Sequence, residues 1–459
     1  MHMRLITVKT LGLTMLTGVL LISTVLLSSG QVVRDTRVAW KDDLVTIEWT
    51  EPLADARAAR DEVPFTVLTG PYIGWLTSTE ATIGWEVIAE KSVTVKPYAS
   101  LSATYPSERI QFRTVRLTDL KPGTAYRYQL KSGNYQSKII SFRTLPAPQT
   151  NSFSFAMIGD TQRGEVAESA EIERKLFADI LAWNPALVVH LGDMLDTGRG
   201  DGLQGRKSWF RTLTRNREMR GSLFMAPTTG NHCWLGKGHG WYADYFADVK
   251  GPRAQVRDGS QPPFYYSFDV GNVHFVSLCT ESAKVAAKKN VADDKFNGLP
   301  FSYNQQLAWF ENDLKNTQAT WKVVFFHKPF HTAGGYPAAD DFRKEFGAVC
   351  DKYGVQLLLS GHDHSYQKTK RITNGDRKIS DTGTVQVVSG GGDIKQFDAR
   401  KNPPDWNLIH KKINHYVQVE VTADAMRFSA VDVKGNVFDV WRLPLKGQPQ
   451  AVTGVKSDL

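Results

Sequence analysis

Hydrophobic and polar positions alternate in two different ways along the chain. Between residues 64 and 146, short runs of alternating apolar and polar residues are separated by Gly, Pro, Ser and Asn. A period of two at this spacing predicts an all-β sandwich. Between residues 151 and 445, apolar runs alternate with helix-like stretches at 165–183 and 303–317. This alternation predicts a second, layered α/β domain that ends in hairpins.

The two ends of the chain have patterns of their own. Arg4 and Lys9 precede an uncharged apolar stretch that reaches Gly30. Positive residues before such a stretch are typical of an export signal, and its length leaves an uncleaved membrane anchor as an alternative for residues 1–30. We therefore expect an exported protein, which is periplasmic, extracellular or membrane-anchored. Residues 31–63 mix charges and are interpreted as a linker or arm, and residues 446–459 as a C-terminal tail.

Composition narrows the function classes. A chain of 459 residues is too long for one compact hydrophobic core, so two or more domains are expected. A content of 41% hydrophobic and 22% charged residues is ordinary for a globular protein. The formal net charge of +9 is scattered rather than gathered into basic runs, so no specific nucleic-acid binding is expected. Three cysteines are too few for a disulfide framework.

Several apolar runs of the second domain stop at residue types that bind metals. Each run predicts a buried strand, and sites in open α/β sheets form at the carboxyl ends of strands. A glycine before most of these ends lets the backbone turn sharply and approach a ligand. The polar ends are Asp160, Asp193, Asn231 with His232, His327 with His331, and His362 with His364.

The donor set indicates more than one metal ion. Two carboxylates, one amide and three imidazoles exceed the four ligands that close a single zinc site. They suit two ions that share a bridging carboxylate, which is the usual device for phosphoryl hydrolysis. We expect two ions from among Fe, Mn, Zn and Mg, and the sequence leaves their identities open.

The same blocks carry a resemblance to a known family. "GD" at 159–160, "GDMLD" at 192–196, "GNH" at 230–232, the histidine after "VVFF" and "GHDH" at 361–364 are similar to the calcineurin-like metallophosphoesterase superfamily. Residues 64–146, with "LKPGTAYRY" around Tyr126, resemble the fibronectin type III-like N-terminal domain of purple acid phosphatases. The resemblance implies a four-layer α/β/β/α metallophosphoesterase domain over residues 151–445.

The resemblance also implies roles for individual residues. Asp160 and His364 would bind the first metal, and Asp193 would bridge both metals. The second metal would be bound by Asn231, His327 and His362. The remaining side chain of the "GNH" block, His232, would contact the phosphate and donate a proton to the leaving group.

Two further residues are candidates for substrate contact. His331, four residues after His327, is a candidate for catalysis and phosphate binding, with a hydrogen-bonded loop histidine as the alternative. Arg163 is a candidate for binding the substrate anion, with a solvated side chain as the alternative.

The chain departs from the family pattern at the first metal. Purple acid phosphatases have a tyrosine three residues after the bridging aspartate, where this chain has Asp196. Other members of the superfamily have a histidine two residues after the first aspartate, where this chain has Gln162. Gln162 and Asp196 are therefore the candidates for the remaining ligand of this metal.

These features predict an exported phosphoesterase that hydrolyses phosphate monoesters by attack of a metal-bridging hydroxide. One alternative is a phosphodiesterase or nucleotide hydrolase of the same fold. The other is a non-catalytic protein that binds a surface through its sandwich domain.

The departure at Asp196 gives a first prediction. Without a tyrosinate ligand, the purified protein should lack the visible charge-transfer band of a tyrosinate–iron centre, and its first site should favour Mn, Mg or Fe(II) over Fe(III). An absorption spectrum of the protein as isolated measures this directly. A purple band would contradict the prediction.

Overall fold

The computed structural model describes residues 21–26, 32–49, 66–88, 110–162, 167–194, 216–234, 238–250, 258–281 and 301–452. No helix within these ranges is long and apolar enough to span a membrane. Of the expected export segment, only residues 21–26 lie within the described ranges, and they form a β-strand. Export therefore stays a prediction.

The N-terminal part is built from two antiparallel-rich sheets. A three-stranded sheet consists of β4 (Thr66–Leu76), β5 (Ala81–Ile88) and β6 (Ile110–Leu117). The six-stranded sheet consists of β1 (Leu21–Leu26), β2 (Val32–Lys41), β3 (Leu44–Trp49), β7 (Ala125–Ser132), β8 (Tyr135–Gln136) and β9 (Ile140–Arg143). Its order is β1-β2-β3-β7-β8, with β9 paired to β7.

The expectation of a linker over residues 31–63 was wrong for residues 32–49. Strands β2 and β3 pair with each other, and β3 pairs in parallel with β7. Val45, Ile47 and Trp49 are buried at alternate positions of β3. The Trp49 ring lies 5.1 Å from that of Trp85, which belongs to the opposite sheet. These strands therefore supply one side of the sandwich core.

Tyr126 occupies the corner position that the sequence indicates. Its hydroxyl oxygen accepts a hydrogen bond of 2.8 Å from the backbone N–H of Lys121, five residues upstream. Such a bond back to the preceding loop is typical of tyrosine corners in β-sandwiches. The sandwich is thus observed, and its kinship to fibronectin type III domains stays a prediction.

The second domain contains two mixed seven-stranded sheets. The first consists, in chain order, of β10 (Phe153–Ile158), β11 (Leu187–His190), β12 (Phe224–Pro227), β20 (His415–Val421), β21 (Ala425–Asp432), β22 (Val437–Pro444) and β23 (Gln450–Ala451). Strands β10, β11 and β12 are parallel, and β20 to β23 extend the sheet in antiparallel order. Strand β23 shows that the sheet continues into residues that the sequence analysis assigned to a tail.

The second sheet has a parallel centre. It consists of β13 (Tyr266–Val270), β14 (Val273–Ser277), β15 (Trp321–Phe326), β16 (Leu357–Ser360), β17 (Tyr366–Thr369), β18 (Val385–Ser389) and β19 (Asn407–Lys411). Strands β14, β15, β16 and β18 run parallel. Strands β15 and β16 and the middle of β18 are almost entirely apolar and buried, as expected for strands covered on both faces.

Helices cover the two sheets. The α-helices are α1 (Ala167–Trp183), α2 (Arg217–Ser222), α3 (Gly238–Tyr245), α4 (Tyr303–Asn316), α5 (Asp340–Phe342) and α6 (Ala348–Tyr353), with a 3₁₀ turn at His232–Trp234 and a π-helical turn at Arg343–Gly347. Helix α1 contacts β20. Gln306 of α4 bonds to the backbone of Cys279, just after β14. Phe155 and Phe275 meet between the sheets, with ring centroids 5.3 Å apart. This arrangement agrees with the expected α/β/β/α layering.

The sandwich packs directly against the second domain. The Tyr128 hydroxyl donates a 2.9 Å hydrogen bond to the carbonyl of Gly221 at the end of α2. The Trp75 ring of β4 lies 5.2 Å from that of Phe224 in β12. Because β12 also leads to the candidate ligand Asn231, the sandwich supports a strand that positions the site.

The position of Trp49 in the sandwich core gives a second prediction. Trp49→Ala should lower the free energy of unfolding by about 3–5 kcal/mol, because it leaves a cavity between the two sheets. The matched control is Trp40→Ala, since Trp40 is 37% exposed. Urea unfolding of both variants measures the difference. An equally small loss for both would contradict the placement of β3 in the core.

Candidate metal centre

The strand order brings the predicted ligands to one end of the sheets. In the first sheet, parallel strands β10, β11 and β12 lead to Asp160, Asp193 and Asn231. In the second sheet, parallel strands β15 and β16 lead to His327 and His362. Because parallel neighbours end at the same edge, residues far apart in the sequence meet there.

Three of these residues have left-handed backbone conformations. The φ angles are 57° for Asp160, 48° for Asp193 and 68° for His362. Each of the three follows a glycine. A non-glycine residue in this backbone conformation costs about 1 kcal/mol or more, so it persists only where the surrounding structure holds it. The strand ends therefore turn abruptly, and the turn directs each side chain towards the same space.

One oxygen of each carboxylate is fixed by a backbone N–H. The amide of His362 donates to Asp160 Oδ2 over 2.8 Å, and that of His232 donates to Asp193 Oδ1 over 2.8 Å. A Cβ at Gly361 would overlap Asp160 Oδ2, and one at Gly230 would overlap Asp193 Oδ1. Glycine at these two positions thus allows the backbone to approach the carboxylates.

The remaining donor atoms form one continuous cluster. Asp193 Oδ2 lies 3.1 Å from His327 Nε2, and Asp160 Oδ1 lies 4.0 Å from the same nitrogen. Asp160 Oδ1 also lies 3.4 Å from His364 Nε2. One ligand atom each from Asp193, His327 and His362 falls within 4.8 Å of the others.

Hydrogen bonds set the orientation of two imidazoles. His327 Nδ1 lies 2.8 Å from the carbonyl oxygen of Leu191, and His364 Nδ1 lies 2.6 Å from that of Lys395. A carbonyl oxygen only accepts, so each Nδ1 carries the proton. In a neutral ring of this tautomer, Nε2 keeps its lone pair available for a metal ion, as in histidines that bind metals.

The buried carboxylates of the site need positive charge nearby to compensate them. Burial would lower the pKa of His327, but the carboxylates of Asp193 and Asp160 outweigh it and raise this pKa to about 9. Burial would raise the pKa of Asp193, but His327 and neighbouring histidines lower it. Without another cation, the protein compensates its buried carboxylates with a proton on imidazole.

Several buried oxygens at the site have no hydrogen-bond partner within the described residues and are available to bind a metal ion. Asp160 Oδ1, Gln162 Oε1 and Asn231 Oδ1 are buried and have no hydrogen-bond partner in the described part of the chain. Buried polar atoms are almost always hydrogen-bonded, so oxygens left in this way point to bound cations. Carboxylate, amide and imidazole donors together suit Mn, Fe, Zn or Mg.

The cluster forms the floor of an open cleft. The cleft has a volume of about 400 Å³ and is lined by Asp193, Asn231, His232, His362 and His364, among others. The His232 side chain is 26% exposed, and its Nε2 lies 3.9 Å from Asp193 Oδ2. A ligand in the cleft therefore has access to both the cluster and an imidazole that is partly open to solvent.

Comparison with known proteins agrees with this geometry. Residues 153–366 match the family model of calcineurin-like phosphoesterases. Over this range the chain is similar to calcineurin-like phosphoesterases. Purple acid phosphatase 23 of Arabidopsis thaliana is 26% identical over 336 residues, a match that covers 65% of this chain and 67% of that protein. Purple acid phosphatase 15 of the same plant is 24% identical over 321 residues, which covers 63% of this chain and 55% of that protein.

A solved structure shares the fold. Purple acid phosphatase PPD1 from yellow lupin superposes with a TM-score of 0.60 at 16% identity, covering 83% of this chain and 74% of that chain. The predicted resemblance and the predicted enzyme class, a phosphatase hydrolase, are confirmed by these matches.

Of the two candidates for the remaining ligand of the first metal, only Gln162 lies within the described residues. Gln162 lies beside the carboxylate and imidazole cluster, 2% exposed, with its Nε2 3.3 Å from His364 Nε2. Asp196 lies outside the described residues, as does Arg163, the candidate for the substrate anion. Gln162 therefore stays a candidate on geometry, and the other two stay predictions.

The expectation that His331 acts in catalysis or phosphate binding is not supported by its position. Its Nε2 lies 2.9 Å from Asn374 Oδ1, and its Nδ1 accepts from Arg377 Nε over 3.3 Å. It is 1% exposed and does not line the cleft of the phosphoesterase domain. Burial lowers its pKa to about 3, so it stays neutral in this network. His331 is the hydrogen-bonded loop histidine of the alternative interpretation.

Sequence reasoning missed other residues at the site. Asp393 Oδ2 lies 3.6 Å from His364 Nδ1. Its signal was present, because it follows "VVSGGG" at the end of β18 just as the other candidates follow their strands. Tyr336 and Phe397 pack on the predicted ligands His362 and His364 from loops, and no periodic pattern marks them.

The predicted bridging role of Asp193 gives a third prediction. Asp193→Asn should lose one or both bound metals with little loss of folding, because it removes a buried charge that the cations compensate. Elemental analysis after dialysis, together with thermal unfolding, measures both effects. Asp439→Asn is the matched control, since Asp439 pairs with Lys368 away from the cleft. Unchanged metal content in Asp193→Asn would show that this carboxylate is not a ligand.

Proposed function

We propose that the protein is an exported, binuclear metal-dependent phosphoesterase that hydrolyses phosphate monoesters. The observation that carries this proposal is the meeting of carboxylate, amide and imidazole donors at one strand edge, beneath an open cleft. The calcineurin-like match supports phosphoester hydrolysis as the class of reaction. Nothing in this geometry requires a covalent enzyme intermediate, because the donor set suits activation of water.

The proposed ligands divide into two groups. Asp160, His364 and Gln162 would hold the first metal, with Asp196 as an alternative to Gln162. Asn231, His327 and His362 would hold the second metal, and Asp193 would bridge. When bound, paired ions would supply positive charge for the phosphoryl oxygens and would lower the pKa of a bound water.

His232 is the proposed general acid. It lines the cleft, and its backbone N–H is bonded to Asp193, which places the imidazole beside the proposed bridge. A proton from this ring would neutralise the leaving alkoxide, a role worth roughly 100- to 10,000-fold in rate.

The cleft contains a cation that suits a negatively charged substrate. Lys395 lines it, and within the described residues its ammonium group contacts the Phe397 ring rather than a carboxylate. A monoester carries one more negative charge than a diester at neutral pH. This additional cation therefore supports monoesters over the phosphodiester alternative.

The fourth prediction tests the reaction. The full-length protein with Mn²⁺ should hydrolyse 4-nitrophenyl phosphate with a higher kcat/KM than bis(4-nitrophenyl) phosphate. Chelation should abolish turnover, and added metal should restore it. His232→Ala should lower kcat about 100-fold or more while metal content stays constant.

The outcomes separate the candidate functions. His331→Ala is the control, because this histidine is buried away from the cleft and should not take part in turnover. Faster hydrolysis of the diester would favour the phosphodiesterase alternative. No hydrolysis with any of the four metals would favour a non-catalytic binding protein.

A further inference from the structure

Two aromatic rings stand over the two histidines of the GHDH segment. The Tyr336 ring lies 4.7 Å from that of His362, tilted by 33°, and the Phe397 ring lies 4.9 Å from that of His364, tilted by 42°. Tyr336 and Phe397 also contact each other edge to face at 4.9 Å. Both rings are partly exposed and line the cleft. They form a continuous aromatic wall beside the proposed metals.

The Tyr336 side of this aromatic wall is fixed by the residue between the two histidines. Asp363 accepts hydrogen bonds from Thr332 Oγ1 and from Gln367 Nε2, the latter over 3.0 Å. A Cβ at Gly334 would overlap the Asp363 carboxylate, so the loop approaches as closely as glycine permits.

A second clamp holds the same loop from outside. Arg400 Nε donates to the carbonyl of Gly334 over 2.8 Å, and Arg400 Nη2 donates to that of Tyr336 over 3.2 Å. The ring of Tyr336 is therefore presented by a loop fixed at both ends. Such preorganisation reduces the entropy lost when a ligand binds.

The Phe397 side is tied to the other histidine. The Phe397 N–H donates to the carbonyl of His364 over 2.9 Å, and the Lys395 carbonyl accepts from His364 Nδ1. The Lys395 ammonium lies 5.4 Å from the centre of the Phe397 ring. The aromatic wall thus combines apolar ring surface with one cation at its rim.

We propose that the aromatic wall is a subsite for an aromatic ring in the alcohol part of the substrate. This inference rests on the proposed function and narrows its substrates to monoesters whose leaving group carries an aromatic ring close to the phosphate. The rings are rigid, partly open to the cleft and close to the proposed metals. A flat group bound there would bury apolar surface of its own and of the aromatic wall. A small alkyl alcohol would leave this surface exposed to water.

Binding of two non-hydrolysable phosphonates tests the proposal without turnover. Phenylphosphonate should bind the Mn²⁺-loaded protein about tenfold more tightly than methylphosphonate in titration calorimetry, since an aromatic contact is worth about that factor. Phe397→Leu and Tyr336→Leu should each reduce this ratio several-fold. Tyr336→Phe keeps the ring and should keep the ratio.

The controls separate this inference from the proposed function. Trp40→Leu removes an exposed ring of the sandwich and should leave both affinities unchanged. Equal affinity of the native protein for both phosphonates would overturn the aromatic subsite and leave phosphoester hydrolysis standing. Failure of both phosphonates to bind, with metal present, would overturn the proposed function itself. A variant that loses metal is excluded by elemental analysis, and the ratio for the native protein still decides.

Discussion

Two buried carboxylates dominate the second domain. Asp160 and Asp193 are at most 1% exposed, and the fold turns their strands through left-handed conformations to bring them there. Buried anions are costly unless cations or hydrogen bonds compensate them. The protein provides one backbone N–H for each and surrounds the remaining oxygens with imidazoles. The rest of the site follows from this need for positive charge.

The carboxylates and the imidazoles that compensate them come from different sheets. One sheet supplies the carboxylates, and the other supplies His327 and His362 from its own parallel strands. Neither sheet alone assembles the cluster. The Phe155–Phe275 contact between the sheets therefore contributes to the site as well as to the core. The sandwich also contributes to the site, because Trp75 packs on the strand that leads to Asn231.

The convergence of the ligands could be predicted because each lies at the end of an apolar run, usually after glycine. Asp393 follows the same rule and was missed, and the three glycines before it pack closely against the backbone and side chains of the site. Residues 32–49 were missed because their outward charges hid the alternation of Val45, Ile47 and Trp49. His331 and Tyr336 lie in the same loop, but of the two only Tyr336 lines the cleft, and Gly334 between them packs on Asp363.

The central claim is that one strand edge holds a pair of metal ions. Anomalous diffraction from crystals grown with Mn²⁺ tests it most directly. The account predicts two peaks about 3.5–4 Å apart, one beside Asp160 and His364 and the other beside His327 and His362, with Asp193 between them. A single peak, or peaks in separate crevices, would contradict it.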